Sequence, residues 1–217
     1  MRTFKIGVPS DRMVYILLAV FSVAGGLTHR AMAERNEQRA FAQDAFRLYN
    51  PKTEENVVDK FMEVTSAFGL DGNGLFSRCV SQICLESGAH PGAESGSGAM
   101  GFCQITPRTA FHVLNRMSQE DRSALEKLGC SSMEWASGKT FSRQKAITWL
   151  WSTTNNIALW GLIMSQSIKE LGADRAFLAY RLGKGGARRF VGDPARHPYL
   201  VSLTRISKKI QKERAPV

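Results

Sequence analysis

Acidic residues are scarce in this chain: 19 Asp and Glu face 29 Lys and Arg in 217 residues, for a formal charge of +10. Cysteine is scarcer still, with four residues, while 19 glycines and seven prolines are ordinary values. So few cysteines exclude a disulfide-dense miniprotein, and these glycine and proline counts exclude a collagen-like repeat. A 43% hydrophobic share excludes a disordered chain. Only one apolar run, Met13 to Leu27, is long enough to interest a membrane, which excludes a multi-spanning protein. No internal repeat occurs. Strand-like alternation and hairpin signals are missing too, apart from whatever residues 88–106 build. The chain therefore reads as a mainly α-helical single domain with short extensions.

The N-terminus has the form of an export signal. Arg2, Lys5 and Arg12 make a basic head, the apolar run follows, and Ala31-Met32-Ala33 supplies the small residues of a cleavage site. The apolar core is about fifteen residues, short of the ~20 needed to span a bilayer. Residues 1–33 are expected to be a signal peptide, or an uncleaved N-terminal anchor, which alone would bring membrane association. Either exports the remainder to a periplasmic or cell-wall space. Without Arg2, Lys5, Arg12, Arg30 and Asp11 the formal charge is still +7. An exported basic chain has little access to nucleic acid, so an extracytoplasmic anionic polymer is the expected partner.

Export would permit disulfides among Cys79, Cys84, Cys103 and Cys130. Of the three connectivities, Cys84–Cys103 with Cys79–Cys130 is preferred here, because Cys79 and Cys84 face different directions on a helix. Buried free thiols are the plainer alternative, and the spacing lacks the close pairs of a structural zinc site.

Helical periodicity runs through residues 34–49 and through 53–68, where Thr53 is a plausible N-cap. It continues through 75–87, from Pro107 to Met117, through 119–128, and through Ser142 to Leu171 and 173–182. These define an N-terminal helical extension (34–69), a main domain (70–200) and a basic C-terminal tail (201–217). Within the main domain, residues 88–98 hold four glycines with Pro and Ser, the longest breaker-rich stretch in the chain.

Glu86 stands where the apolar helix meets that stretch. Apolar surroundings favour the neutral form of a carboxyl group, and a neutral carboxylic acid is what protonating a glycosidic oxygen requires. The glycine-rich loop beside it has little side-chain bulk, leaving room for an extended polymer.

The residues from Glu86 to Ala110 also resemble the SLT family of lytic transglycosylases, whose motif runs E-S-x-F-x-P-x-A-x-S-x-x-G-A-x-G-L-x-Q-x-x-P-x-T-A. Glu86, Ser87, Pro91, Ala93, Ser95, Gly98, Ala99, Gly101, Gln104, Pro107, Thr109 and Ala110 match it without a gap. Ala89 replaces the usual aromatic, and Phe102-Cys103 replaces Leu-Met. A second patch, Ala179 to Phe190, looks like the family's A-Y-N-A-G-P-G segment, keeping Tyr180, Gly183 and Gly185 but with Arg181 for Asn and Lys184 for Pro. Asn156-Ile157 resembles the N-I-x-x-G helix, with Trp160 at the expected glycine and Gly161 one position late. The resemblance spans roughly residues 70–195.

The resemblance implies a lysozyme-like helical fold acting on peptidoglycan, with no cofactor and no metal. It implies cleavage of the β-1,4 bond between N-acetylmuramic acid and N-acetylglucosamine, with Glu86 as the single catalytic acid and then base. It implies that Ser95 and Gln104 line the cleft, and that the Tyr180 hydroxyl reaches the Glu or the substrate N-acetyl group. Ser87 would hold the helix end, while Gly98, Gly101 and Gly183 would supply backbone geometry that a side chain blocks.

Other features have plainer readings. Glu94, the acid nearest in sequence, reads as a solvated loop carboxylate rather than the partner a two-carboxylate glycosidase needs. Trp135, Trp149, Trp151 and Trp160 at helical spacing read chiefly as core. Lys184, Arg188, Arg189 and the basic tail read as a solvated face or as attraction for anionic peptide stems. Three competing functions stay open: a hydrolytic muramidase on the same fold, a Cys–His peptidase built from Cys84 or Cys103 with His90 or His112, and a non-catalytic peptidoglycan-binding or secretion-assembly component.

Overall fold

The computed structural model describes residues 11–72, 74–131 and 142–215, with side chains from residue 28 onward. Arg2, Lys5, the side chains of the apolar run to Leu27, and Trp135 lie outside the described residues. Helix α1 (Asp11–Tyr49) contains Ala31-Met32-Ala33, all exposed. Among the described residues, no helix is long and apolar enough to cross a membrane. Two compact units are formed, one up to Ala40 and one from Phe41 to Val217.

Among its described residues the second unit is built mainly of helices. After the end of α1 come α2 (Glu55–Ala67), α3 (Leu75–Ser87), α4 (Pro107–Arg116), α5 (Gln119–Lys127), α6 (Arg143–Leu150), α7 (Thr153–Leu171), α8 (Ala173–Arg189) and α9 (Pro198–Arg214). The caps follow local chemistry. Pro107 begins α4 with Thr106 accepting from the Thr109 amide, and Ser118 with Asp121 forms a capping box on α5. Thr53 does not cap α2. The cap position is Glu54, and the Thr53 hydroxyl donates to the carbonyls of Asn50 and Ala89. The expected run from Ser142 to Leu171 is two helices, because Ser152 caps a new start by accepting from the Asn155 amide.

Helix α7 is the centre of the core. Ile157, Ala158, Leu159, Trp160 and Leu162 are all buried, and the helix packs against α2 and α8. Its approach to α2 needs Gly161, where a Cβ would fall 2.4 Å from Val64 and 2.7 Å from Phe68. The glycine one position late is therefore the one the packing uses, and the neighbouring Trp160 turns inward to stack on Phe61 at 5.5 Å. Phe61 meets Phe46 edge-on at 5.2 Å, and Phe46 meets Phe102 at 5.1 Å. This aromatic row ties α7, α2 and α1 to the underside of the glycine-rich loop, each pair adding about 0.5–1.5 kcal/mol beyond burial.

The residues expected to form a basic tail belong to α9. Leu200, Leu203 and Ile210 are buried, and the helix packs on α3, the helix that carries Glu86. Arg205, Lys208, Lys209 and Lys212 form a stripe on its exposed side. Among the described residues there is no β-sheet. The 88–106 segment makes two isolated antiparallel bridges, Glu94 with Met100 and Met100 with Ile105.

Candidate active site

Glu86 lies in the last turn of α3, half-buried, where Gly88 ends the helix in the left-handed region with φ 61°. Ala89 continues that conformation at φ 56°, and its carbonyl is tied down by Asn50 and Thr53. The connection between α1 and α2 thus anchors the start of the loop. Ser87 bonds back to the Ile83 carbonyl at 3.1 Å, holding the helix end.

The loop is fixed from within. Ser95 accepts from the Ala99 amide at 2.9 Å, and its own amide donates to the Ala99 carbonyl at 2.9 Å. Gly98 turns the chain at φ 76° and Gly101 at φ 74°. Gly101 is needed twice over, since an added Cβ would lie 2.5 Å from the Asn156 amide nitrogen. Asn156, fully buried on α7, accepts from the Cys103 amide at 2.8 Å and donates to the carbonyls of Met100 at 2.9 Å and Leu150 at 3.3 Å. One side chain therefore holds residues 100–103 against the core.

Gln104 follows at φ 55°, a left-handed conformation unusual for a side chain of its size. Its amide nitrogen donates to the carbonyls of Ala93 and Gly101, which fixes the side chain. Gln104 lines a cavity of about 500 Å³ with Thr109, His112, Tyr180 and Lys184. Gly183, at φ 73° and ψ 157°, kinks α8 at the edge of that cavity. A second cavity, of about 490 Å³, lies between Lys52, Lys60, His90 and Thr153. Glu86 is among the lining residues of neither.

Tyr180 does not bond to Glu86. Its hydroxyl donates to the Cys103 carbonyl, supporting the loop from the α8 side. The residue that meets Glu86 is Tyr199, whose hydroxyl donates to Oε1 at 2.5 Å. Tyr199 is set by its own helix start: Pro198 opens α9, and His197 caps it by accepting from the Tyr199 amide at 3.1 Å. Burial raises the phenol pKa of both tyrosines, and the nearby Glu86 carboxylate raises it further. Both keep their protons and serve as donors. Tyr199 escaped the sequence reading, although Leu200, Leu203, Ile206 and Ile210 repeat at helical spacing behind Pro198 and mark an amphipathic helix.

Other expectations are corrected or narrowed. Cys79, Cys84, Cys103 and Cys130 are free, buried thiols, so neither preferred disulfide is present. Burial pushes the Cys84 thiol up to about 12 and Cys103 well above its ordinary value. A nucleophilic cysteine needs the opposite shift, which removes the basis of the Cys–His peptidase. The four thiols are expected to stay unreactive toward an aromatic disulfide reagent in the folded chain and to titrate fully in denaturant. Rapid native reaction of Cys84 or Cys103 would contradict this. Glu94 is exposed. Trp149 and Trp160 are core, whereas Trp151 is 43% exposed. Lys184 and Arg188 both pair with Glu170, which offsets their attraction for anions. Among the described residues, no three of His, Cys, Asp and Glu come together to hold a metal ion.

Comparison with protein-family models, curated protein sequences and solved structures gives no match for this chain.

Proposed function

We propose that the chain is a peptidoglycan lytic transglycosylase on a lysozyme-like helical fold, cleaving the β-1,4 bond between N-acetylmuramic acid and N-acetylglucosamine. The observation that carries this reading is Glu86, a half-buried carboxyl at a helix end beside a fixed glycine-rich loop, hydrogen-bonded by Tyr199 on one oxygen. The gapless motif from Glu86 to Ala110 supports it from the sequence side.

The chemistry needs one carboxyl group. Protonated Glu86 gives its proton to the glycosidic oxygen as the bond to the muramyl anomeric carbon breaks. The substrate's own N-acetyl carbonyl shelters the positive centre. The carboxylate then takes the proton of the muramyl 6-hydroxyl, whose oxygen closes on the anomeric carbon to form a 1,6-anhydro ring. Glu86 ends protonated and no water is consumed. Gln104 and Tyr180, at the neighbouring cavity, bind the sugar, and Ser95 shapes the loop over it. The exposed stripe of Arg205, Lys208, Lys209 and Lys212 favours an anionic wall polymer, and the N-terminal segment delivers the chain to that compartment.

Mass spectrometry of sacculi digested by the full chain tests the reading. Anhydro-muramyl ends with no incorporation of solvent ¹⁸O are expected. Reducing muramic ends carrying ¹⁸O would replace it with a hydrolytic muramidase. Intact glycan that nevertheless retains the chain would replace it with a binding component.

A further inference from the structure

A line of buried polar groups runs behind Glu86. The Trp160 indole nitrogen donates to Oε1 of Gln82 at 3.2 Å, and Nε2 of Gln82 donates to the Tyr199 hydroxyl oxygen at 3.3 Å. That hydroxyl donates to Oε1 of Glu86 at 2.5 Å. Trp160 and Gln82 are both fully buried. Gln82 and Glu86 are four residues apart on α3 and so share a face, while Trp160 comes from α7 and Tyr199 from α9.

We infer that Trp160 and Gln82 are positioning residues that fix the direction of the Tyr199 hydrogen bond and so select which oxygen of Glu86 works on substrate. An indole N–H can only donate. Its partner on Gln82 must therefore be the amide oxygen, since the reversed amide would set two donors against each other in a site closed to water. The NH₂ group is left facing Tyr199. A phenol oxygen that accepts from this amide has one proton, and it turns toward Glu86. Oε1 is then held as an acceptor, and the proton passed to the glycosidic oxygen and recovered from the 6-hydroxyl resides on Oε2. The indole stands at the position where the resembling motif has glycine, so this chain has the donor that begins the line.

The inference rests on Glu86 being the acid and base, and its test separates the two. The full chain is compared with Gln82→Met, Gln82→Glu and Trp160→Phe, each checked for parental thermal stability. The rate on purified glycan strands is followed across pH, together with NMR of the Glu86 carboxyl carbon assigned through Glu86→Gln. Gln82→Met and Trp160→Phe are expected to move the Glu86 carbon signal and to lower kcat about tenfold, with KM within about twofold. Gln82→Glu places an acceptor beside Tyr199 when ionised and a donor when protonated. Its kcat is expected to fall at neutral pH and recover on acidification, a limb the parent lacks. Parental kcat, pH profile and carbon signal in all three variants would overturn the inference. If the parent itself releases no anhydro-muramyl ends, the functional reading fails, while the carbon signals still decide the hydrogen-bond direction.

Discussion

Replacing Glu86 by Gln is expected to lower the rate of glycan cleavage by about 10³-fold, in the range that separates a positioned general acid from its absence. Stability should stay within about 0.5 kcal/mol of the parent. The amide oxygen of the new side chain can still accept from Tyr199, the bond Glu86 now receives at 2.5 Å. The substitution therefore removes the transferable proton and spares the packing. Glu86→Asp is the sharper companion. It keeps the carboxyl chemistry but draws the group back by one methylene, away from Tyr199 and from substrate, and misplacement by about 1 Å costs about 10²-fold. Initial rates of anhydro-muramyl release, with thermal melts of each variant, give the measurement. Parental rates in Glu86→Gln would sink the mechanism outright, and parental rates in Glu86→Asp would show that the carboxyl position is not critical.

What could be read ahead of the structure followed the range over which each signal acts. Helices α2 to α5 were legible because apolar spacing is local and Pro107 marks the start of α4, whereas the cap expected at Thr53 fell on Glu54. The place of Glu86 at a helix end was legible because the apolar periodicity stops at Gly88, where α3 ends. The turns at Gly98 and Gly101 were legible because left-handed backbone favours glycine. Tyr199 was not, since 113 residues separate it from the carboxyl it meets, and the charges of Lys208, Lys209 and Lys212 drew attention from the apolar face beneath them. Trp160 and Gly161 read as a motif shifted by one residue. In the structure they divide two tasks, with the glycine admitting α2 and the tryptophan entering the core. The thiols misled in the other direction. An even count in an exported chain suggests disulfides, but each sulfur is enclosed by apolar neighbours as an ordinary small hydrophobe.

Asn156→Ala should give the largest loss of stability of any single polar substitution near the site, about 3–5 kcal/mol. Three hydrogen bonds end on this buried amide, and its loss strands the Cys103 N–H and the carbonyls of Met100 and Leu150. Each buried polar group left without a partner costs about 1–3 kcal/mol, and the melting temperature should fall by of the order of 10 °C. The effect reaches the site by a short covalent path. Residues 100–103 run directly into Gln104, and the Cys103 carbonyl is the acceptor that holds Tyr180. A loop released from Asn156 frees both cavity-lining side chains at once, so kcat measured well below the melting point should also fall, by about tenfold or more. Asn156→Asp separates the two halves of the amide. It keeps an acceptor for Cys103 but turns a carboxylate oxygen toward two carbonyls, and it should be no more stable than Asn156→Ala. Denaturant unfolding followed by fluorescence, paired with glycan-cleavage rates at low temperature, measures both effects. A variant that melts early yet cleaves at the parental rate would confine Asn156 to the core. Parental stability would mean that the loop is held by other contacts, with Ser95 and Ala99 the first to test.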